Sequence, residues 1–297
     1  MPENTSGAPE LQRKVATWLN QHGFPFELQV GRAFNRSQFD VQHVRFYRDS
    51  ITSKPRQIDV VATRIRYVPE AKAFAGLTLV MECKYSSRPW VVFSSRAGPA
   101  DAALAFTWVA GRLSSNLLCD ITIDLATGGS QLALLAWGAR RGHGIMSALH
   151  DTKADDSEPK NYAYDALRSA VAGAVAIAAE VDALYKSGVT SPGFEHLNVV
   201  LPVVVLRGKL FEAYLDEYGQ LVVAPCDRAT LLTHAAKDGS LLLAHVVCED
   251  VLSDFIEMAY QDADRIIYHV SKNAAQIMLD LNQVLRGTSS TSAPDAT

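Results

Sequence analysis

Glu82 and Lys84 stand two residues apart at the end of an apolar run that begins at Leu77. Buried strands carry charge rarely, so the pair is either a solvated strand end or the chemical end of a site. In a strand, residues i and i+2 project from one face, roughly 6.5–7 Å apart at Cα. Glu82 and Lys84 therefore point together, and Cys83 points away with Leu79 and Met81. Asp59 opens a second run rich in β-branched residues, Ile58 to Val68. If the two runs pair as a hairpin, the start of one meets the end of the other, which sets Asp59 beside Glu82 and Lys84.

Two carboxylates with a backbone carbonyl, for which Cys83 is the candidate, make a hard-oxygen set that Mg²⁺ accepts while keeping several waters. A metal held there polarises a phosphoryl oxygen, acidifies a water and stabilises a leaving alkoxide. Lys84 would position the attacking water and stabilise the charge that builds on phosphorus. These are the parts needed to hydrolyse a phosphodiester.

The elements that must position these residues follow from pattern and turn chemistry. Residues 9–23 read as a short helix with Leu11, Val15, Trp18 and Leu19 on one face, ended by Gly23. A second helix over 24–38 starts near Pro25, a favoured early-helix residue. A strand over 39–49 takes Phe39, Val41, Val44 and Phe46 as its apolar positions. Turn residues 49–57 lead to the strand 58–68, and residues 69–76 connect it to the strand 77–84, an antiparallel meander. Beyond it the pattern predicts a helix over 98–118, a strand–Gly128-Gly129 turn–strand over 121–140, whose second piece also suits a helix, and a loop over 142–160. The Gly-rich stretch 138–144 reads as a flexible surface turn. A long Ala-rich helix follows over 162–188. Residues 199–216 read as two strands joined at Arg207-Gly208. A strand over 241–250 precedes helix, in two pieces, over 249–286. The expected whole is one α/β domain over 10–286 between disordered tails, 1–9 and 287–297, with no internal repeat.

Composition bounds the function. A 297-residue chain with 48% apolar and 20% charged residues is long enough for a real core. Four cysteines without CxxC spacing suit a reducing cytoplasm, and the polar N-terminus lacks a signal-peptide core. No apolar segment is long enough to span a bilayer, so no membrane partner is expected. The net charge of -4 conceals an asymmetry: residues 1–100 hold 14 basic and 8 acidic side chains, the remainder 14 and 24. A basic first third can face a polyanion, although such a difference also arises by chance. No Walker loop, GxSxG elbow or HExxH motif occurs.

The pattern of Asp, hydrophobic strand, then Glu-x-Lys, in Ile58–Ala62 and Val80–Ser86, resembles the PD-(D/E)xK nuclease superfamily. The resemblance covers roughly residues 20–115 by motif, and Ile58 stands where the family's name has proline. It implies a restriction-endonuclease-like core: a helix, a mixed sheet with an antiparallel three-strand meander, and flanking helices. Here C-terminal α/β elaborations follow it. It implies Asp59 and Glu82 as ligands of Mg²⁺, with Mn²⁺ substituting, Lys84 as the catalytic lysine, and Glu27 as a supporting acid on the preceding helix. The implied activity is phosphodiester hydrolysis, DNA first and RNA next, in restriction, repair or phage defence. A single site cuts one strand per visit, so double-strand cleavage would call for a homodimer.

Plainer readings stand beside these. Glu82 and Lys84 also suit a cross-strand ion pair, Asp59 a strand entry, and Glu27 the helix dipole. Arg56, Lys54 and Arg88 could meet phosphates, with Arg45 and Arg48 beside them, and Trp90 could stack on a base; each also reads as surface charge or packing. A nuclease-fold protein without catalysis, acting as a nucleic-acid-binding or protein-interaction module, is the alternative function.

Overall fold

The structure, a computed structural model, describes residues 8–21, 23–49, 53–96, 109–112, 132–135, 140–148, 161–186, 195–234 and 241–289. Helices α1 (Ala8–Gln21) and α2 (Phe24–Arg36) lead into the meander β1 (Asp40–Arg48), β2 (Pro55–Val68) and β3 (Ala73–Tyr85). Then come β4 (Trp90–Arg96), β5 (Val109–Arg112), β6 (Arg140–Ser147) and the long helix α3 (Tyr162–Lys186). Strands β7 (Glu195–Arg207), β8 (Leu210–Leu215), β9 (Leu221–Cys226), β10 (Arg228–His234) and β11 (Leu241–Cys248) precede helices α4 (Leu252–Lys272) and α5 (Ala274–Ser289). The protein is thus mixed α/β.

Among the described residues eleven strands form one mixed sheet, ordered β1-β2-β3-β7-β11-β10-β6-β4-β8-β9, with β5 pairing β7 off this path. The meander is antiparallel, as its short connections require. β7 lies parallel to β3 along its whole length, from Ala73↔Glu195 to Tyr85↔Arg207, and α3 immediately precedes β7 in the chain. β3 and β7 are covered on both faces, which explains why both read as near-continuous apolar runs rather than alternating ones. Phe26, Val30 and Phe34 of α2 and Phe255 and Ile266 of α4 cover one face. Ala174 and Ile177 of α3 cover the other, over Ile58, Val61 and Val80. Gly173 lets α3 come this close, since a Cβ there would lie 3.0–3.1 Å from Ile58 and Val80 side-chain atoms.

Several expectations need correction. Val109–Arg112 is a strand inside the stretch expected to be helical; the rest of 98–118 lies outside the described residues. Ala133–Leu135 is a turn where the second strand of 121–140 was expected. Its backbone N–H groups at Ala133 and Leu134 donate to the fully buried Asp262 carboxylate at 2.8 and 2.7 Å. Residues 140–147, expected to be turn and loop, form β6, with Gly142 close against Val92 and Leu231 of its neighbours. Ladder bonds from β4 and β10 make this Arg- and Gly-rich segment a strand, a tertiary override of weak local preference. Residues 8 and 9 and 287–289, assigned to tails, are helical.

Candidate active site where β2 starts and β3 ends

The β2–β3 ladder runs from Val68↔Ala73 to Val60↔Met81 and stops there. One step further stand Asp59 and Glu82, as the hairpin geometry requires. The ladder is replaced by a side-chain bond: the Cys83 N–H donates to Asp59 Oδ2 at 2.8 Å. Lys84 Nζ lies 2.6 Å from Glu82 Oε1 and 4.0 Å from Asp59 Oδ2. Both carboxylate side chains are only 12% exposed, and Lys84 is 37% exposed, so the group sits at the rim of the core rather than in open solvent. Cys83 points into the core with Leu79 and Met81.

A backbone irregularity frames the group. The pairs His43↔Val60 and Arg45↔Ile58 flank Val44 and Asp59, which therefore face each other. Val44 has φ 57, a left-handed conformation that β-branched residues rarely adopt. Both strands exchange faces here. Val41 and Val60 pack on the α2/α4 side, while Tyr47 and Ile58 pack on the α3 side, although regular alternation would keep each pair on one face. This corrects the expected pattern in β1: Val44 and Phe46 are exposed and Tyr47 is buried.

Glu27 joins the group electrostatically from the first turn of α2. Burial and then the Asp59 charge, with Glu82 adding, raise its pKa to about 7 against the pull of Lys84. Glu82 rises to about 7 by burial and by Asp59, opposed by Lys84 and Arg56. Burial also raises Asp59, against Lys84 and the Cys83 N–H. Burial works against the Lys84 charge, but Glu82 and Asp59 still hold its pKa above the ordinary value. Burial, then the neighbouring acids, push the Cys83 thiol well up, which makes it inert as a nucleophile.

The four residues expected from the sequence thus act on one another. The others fare differently. Arg56 Nε lies 2.7 Å from Asp49 Oδ2, and its charge still reaches Glu82. Lys54 is exposed in the β1–β2 turn, where its carbonyl accepts the Asp49 N–H. Arg88 is half-buried, and its carbonyl accepts from Ser86 Oγ at 2.7 Å. Arg45 pairs with Glu180 and Arg48 bonds the Ser53 carbonyl. Of the two readings of Trp90 packing holds and base stacking does not: it is 1% exposed and belongs to the core cluster with Val92, Leu206 and Leu210, so its ring is closed to a base.

Two features were not foreseen. Arg207, at the end of β7, donates to both Glu249 oxygens and to Gln29 Oε1, each at 2.6 Å, and lies 4.3 Å from the centre of the Phe26 ring. It ties α2, and with it Glu27, to the sheet. Tyr47 is buried with its hydroxyl unpartnered among the described residues, within electrostatic reach of Arg56, Asp49 and Glu82. Neither has a local signal, because each depends on strands brought together from distant sequence.

The donor set fits a hard divalent cation. Burial disfavours the charged forms of three acids that interact with one ammonium, and a dication would stabilise those charged forms. Among the described residues no three His, Cys, Asp or Glu form a ready cage. Mg²⁺ does not need one, since it binds through one or two carboxylates and keeps waters. Asp59 and Glu82 are the two carboxylates that could serve.

Comparison of the chain with protein-family models, curated proteins and solved structures gave no match. Among the described residues no helix is long and apolar enough to cross a membrane.

Proposed function

We propose that this protein is a metal-dependent nuclease that hydrolyses phosphodiester bonds, DNA first, on a restriction-endonuclease-like core. The observation that carries the reading is the convergence of Asp59, Glu82 and Lys84 at one sheet end, with Glu27 coupled to them from α2. The antiparallel meander and the parallel strand β7 agree with the expected core. Asp59 and Glu82 would hold Mg²⁺ or Mn²⁺, with the Cys83 carbonyl as a further candidate oxygen. Bound there, the ion supplies Lewis-acid polarisation and a more acidic water.

The rest of the chemistry belongs to the chain. Lys84 Nζ, within reach of both acids, donates to the attacking water and to a non-bridging phosphate oxygen, where negative charge builds. Water oxygen bonds to phosphorus and gives up one proton to solvent, the bond from phosphorus to the leaving sugar oxygen breaks, and that oxygen takes up a proton from solvent water. Glu27, its pKa raised to about 7, is only partly ionised at neutral pH in the free protein, which limits the negative charge around the phosphate.

The test is cleavage of linear, circular and single-stranded DNA and of RNA with Mg²⁺ or Mn²⁺, beside Asp59→Ala and Lys84→Ala. Cleavage that chelation and both substitutions abolish supports the reading and names the substrate. Cleavage that survives Asp59→Ala overturns the site. Binding without cleavage on every substrate favours a module that holds nucleic acid and does not cut it.

A further inference from the structure

A cleft of about 470 Å³ opens beside the site, lined among others by Ser86, Ser87, Pro89, Lys209, Phe211 and Asp250. Its near wall begins two residues after Lys84. The walls are pinned by backbone bonds: the Ser86 N–H donates to the Arg207 carbonyl at 3.0 Å, and the Trp90 N–H to the Lys209 carbonyl at 2.8 Å. Between them Gly208 lets the chain pass close to Ser86, since a Cβ there would lie 2.7 Å from the Ser86 carbonyl oxygen.

We propose that this cleft receives one unpaired nucleotide of the strand being cut, next to the scissile phosphate, so that the preferred substrate is single-stranded or frayed. The proposal rests on the nuclease reading and names its substrate class. Three observations support it. The volume falls in the range of small-ligand sites, about 300–1,000 Å³, enough for one nucleotide. Charge inside the cleft is balanced, with Arg207 and Lys209 against Glu249 and Asp250, which suits a base and sugar better than a run of phosphates. Arg207 is already committed to Glu249 and Gln29. Lys209 is exposed and makes no side-chain hydrogen bond or ion pair among the described residues, which leaves its ammonium for the flanking phosphate. Phe211 and Pro89 offer apolar surface to a base, and the Ser87 hydroxyl and the Asp250 carboxylate offer polar partners to its edge or to the sugar. A base held in a Watson–Crick stack cannot enter such a cleft without leaving the duplex.

The test is fluorescence anisotropy of a labelled single-stranded oligonucleotide and of the same sequence as a closed duplex. The full chain is used with Ca²⁺ in place of the catalytic ion. Two variants are compared at exposed positions: Lys209→Glu, and Ser87→Trp, which fills the cleft. Lys72→Glu, near the far end of β3, is the control. The expected result is single-strand binding at least about tenfold tighter than duplex binding, weakened about tenfold or more by both cleft variants and unchanged by the control. Equal affinity for the two forms, no binding of either, or cleft variants that bind as wild type would overturn the subsite. Cleavage assays with Mg²⁺ separate the two readings. Single-strand binding lost in the variants but never followed by cleavage keeps the subsite and removes the nuclease. Cleavage unaffected by either cleft variant keeps the nuclease and removes the subsite.

Discussion

Val44 and Asp59 face each other across β1 and β2 at the step where both strands exchange the faces they present. Beyond that step the ladder between β2 and β3 also ends, and Asp59 accepts a bond from the Cys83 N–H instead of pairing through its backbone. The irregularity frees one carboxylate from a buried strand and delivers it to Glu82 and Lys84. Its consequences can be measured.

Asp59→Asn separates function from structure. The amide oxygen can still accept the Cys83 N–H, Lys84 keeps Glu82 at 2.6 Å, and one of the clustered acids is gone. Activity is expected to fall by about 10²-fold or more. Without divalent metal near pH 8, the melting temperature is expected to rise by roughly 2–4 °C, the shift that about 1 kcal/mol makes in a chain of this size. A purely structural ion pair predicts the opposite, a lower melting temperature. Activity assays and thermal unfolding on one preparation decide.

The acids also set a pH dependence. Glu27 and Glu82 have folded-state pKa values raised from 4.5 to about 7. Below the unfolded value both states hold the protons. Between it and the folded value the unfolded chain releases them while the folded chain retains them. Stability of the metal-free protein must therefore fall as pH rises through this window, and level off above it. Added Mg²⁺ or Mn²⁺ should raise the melting temperature near pH 8, where the carboxylates are free to ligate. It should have little effect near pH 5, where they are protonated. Thermal unfolding across pH, with metal and with chelator, tests both halves; a metal effect independent of pH would remove these carboxylates as ligands.

The strain at Val44 should be removable. The residue is 44% exposed and its φ is 57. Val44→Gly relieves a conformation that costs a β-branched residue about 1–3 kcal/mol, while losing a smaller amount to chain entropy. The net expectation is a gain of about 1 kcal/mol in urea unfolding with catalysis retained. A loss of stability would mean that the backbone is not strained there.

Arg207 holds α2 to the sheet, so its loss should reach Glu27. Arg207→Ala is expected to cost about 1–2 kcal/mol, from the charge-assisted bonds to Glu249 and the contact with Phe26. It should also lower kcat/KM, because α2 carries both Gln29 and Glu27. Arg207→Lys should restore little of either, since a lysine cannot make the two-pronged bond. Urea unfolding beside steady-state kinetics gives both readouts.

Much of this architecture was legible in the chain. The Ala-rich run of α3, the Pro25 start of α2 and the β-branched run after Asp59 are local signals, and each produced the expected element. The site's pairing was legible too: two strands joined by a short connection must be antiparallel, and antiparallel pairing sets the start of β2 beside the end of β3. What the sequence could not show depends on partners distant in the chain. β6 became a strand because β4 and β10 offered ladder bonds. Trp90 was buried because β7 and β8 closed over it. Arg207 became the anchor of α2 because β7 lies parallel to β3 and ends beside it.

The sequence by itself determined the residue types at the site and their order along two strands, since alternation and hairpin geometry are properties of neighbours. Only the tertiary structure decided their electrostatics. Burial raises the acids, and the exchange of faces at Val44 and Asp59 turns one carboxylate out of the ladder. Both effects come from packing between segments far apart in sequence, which no local pattern encodes.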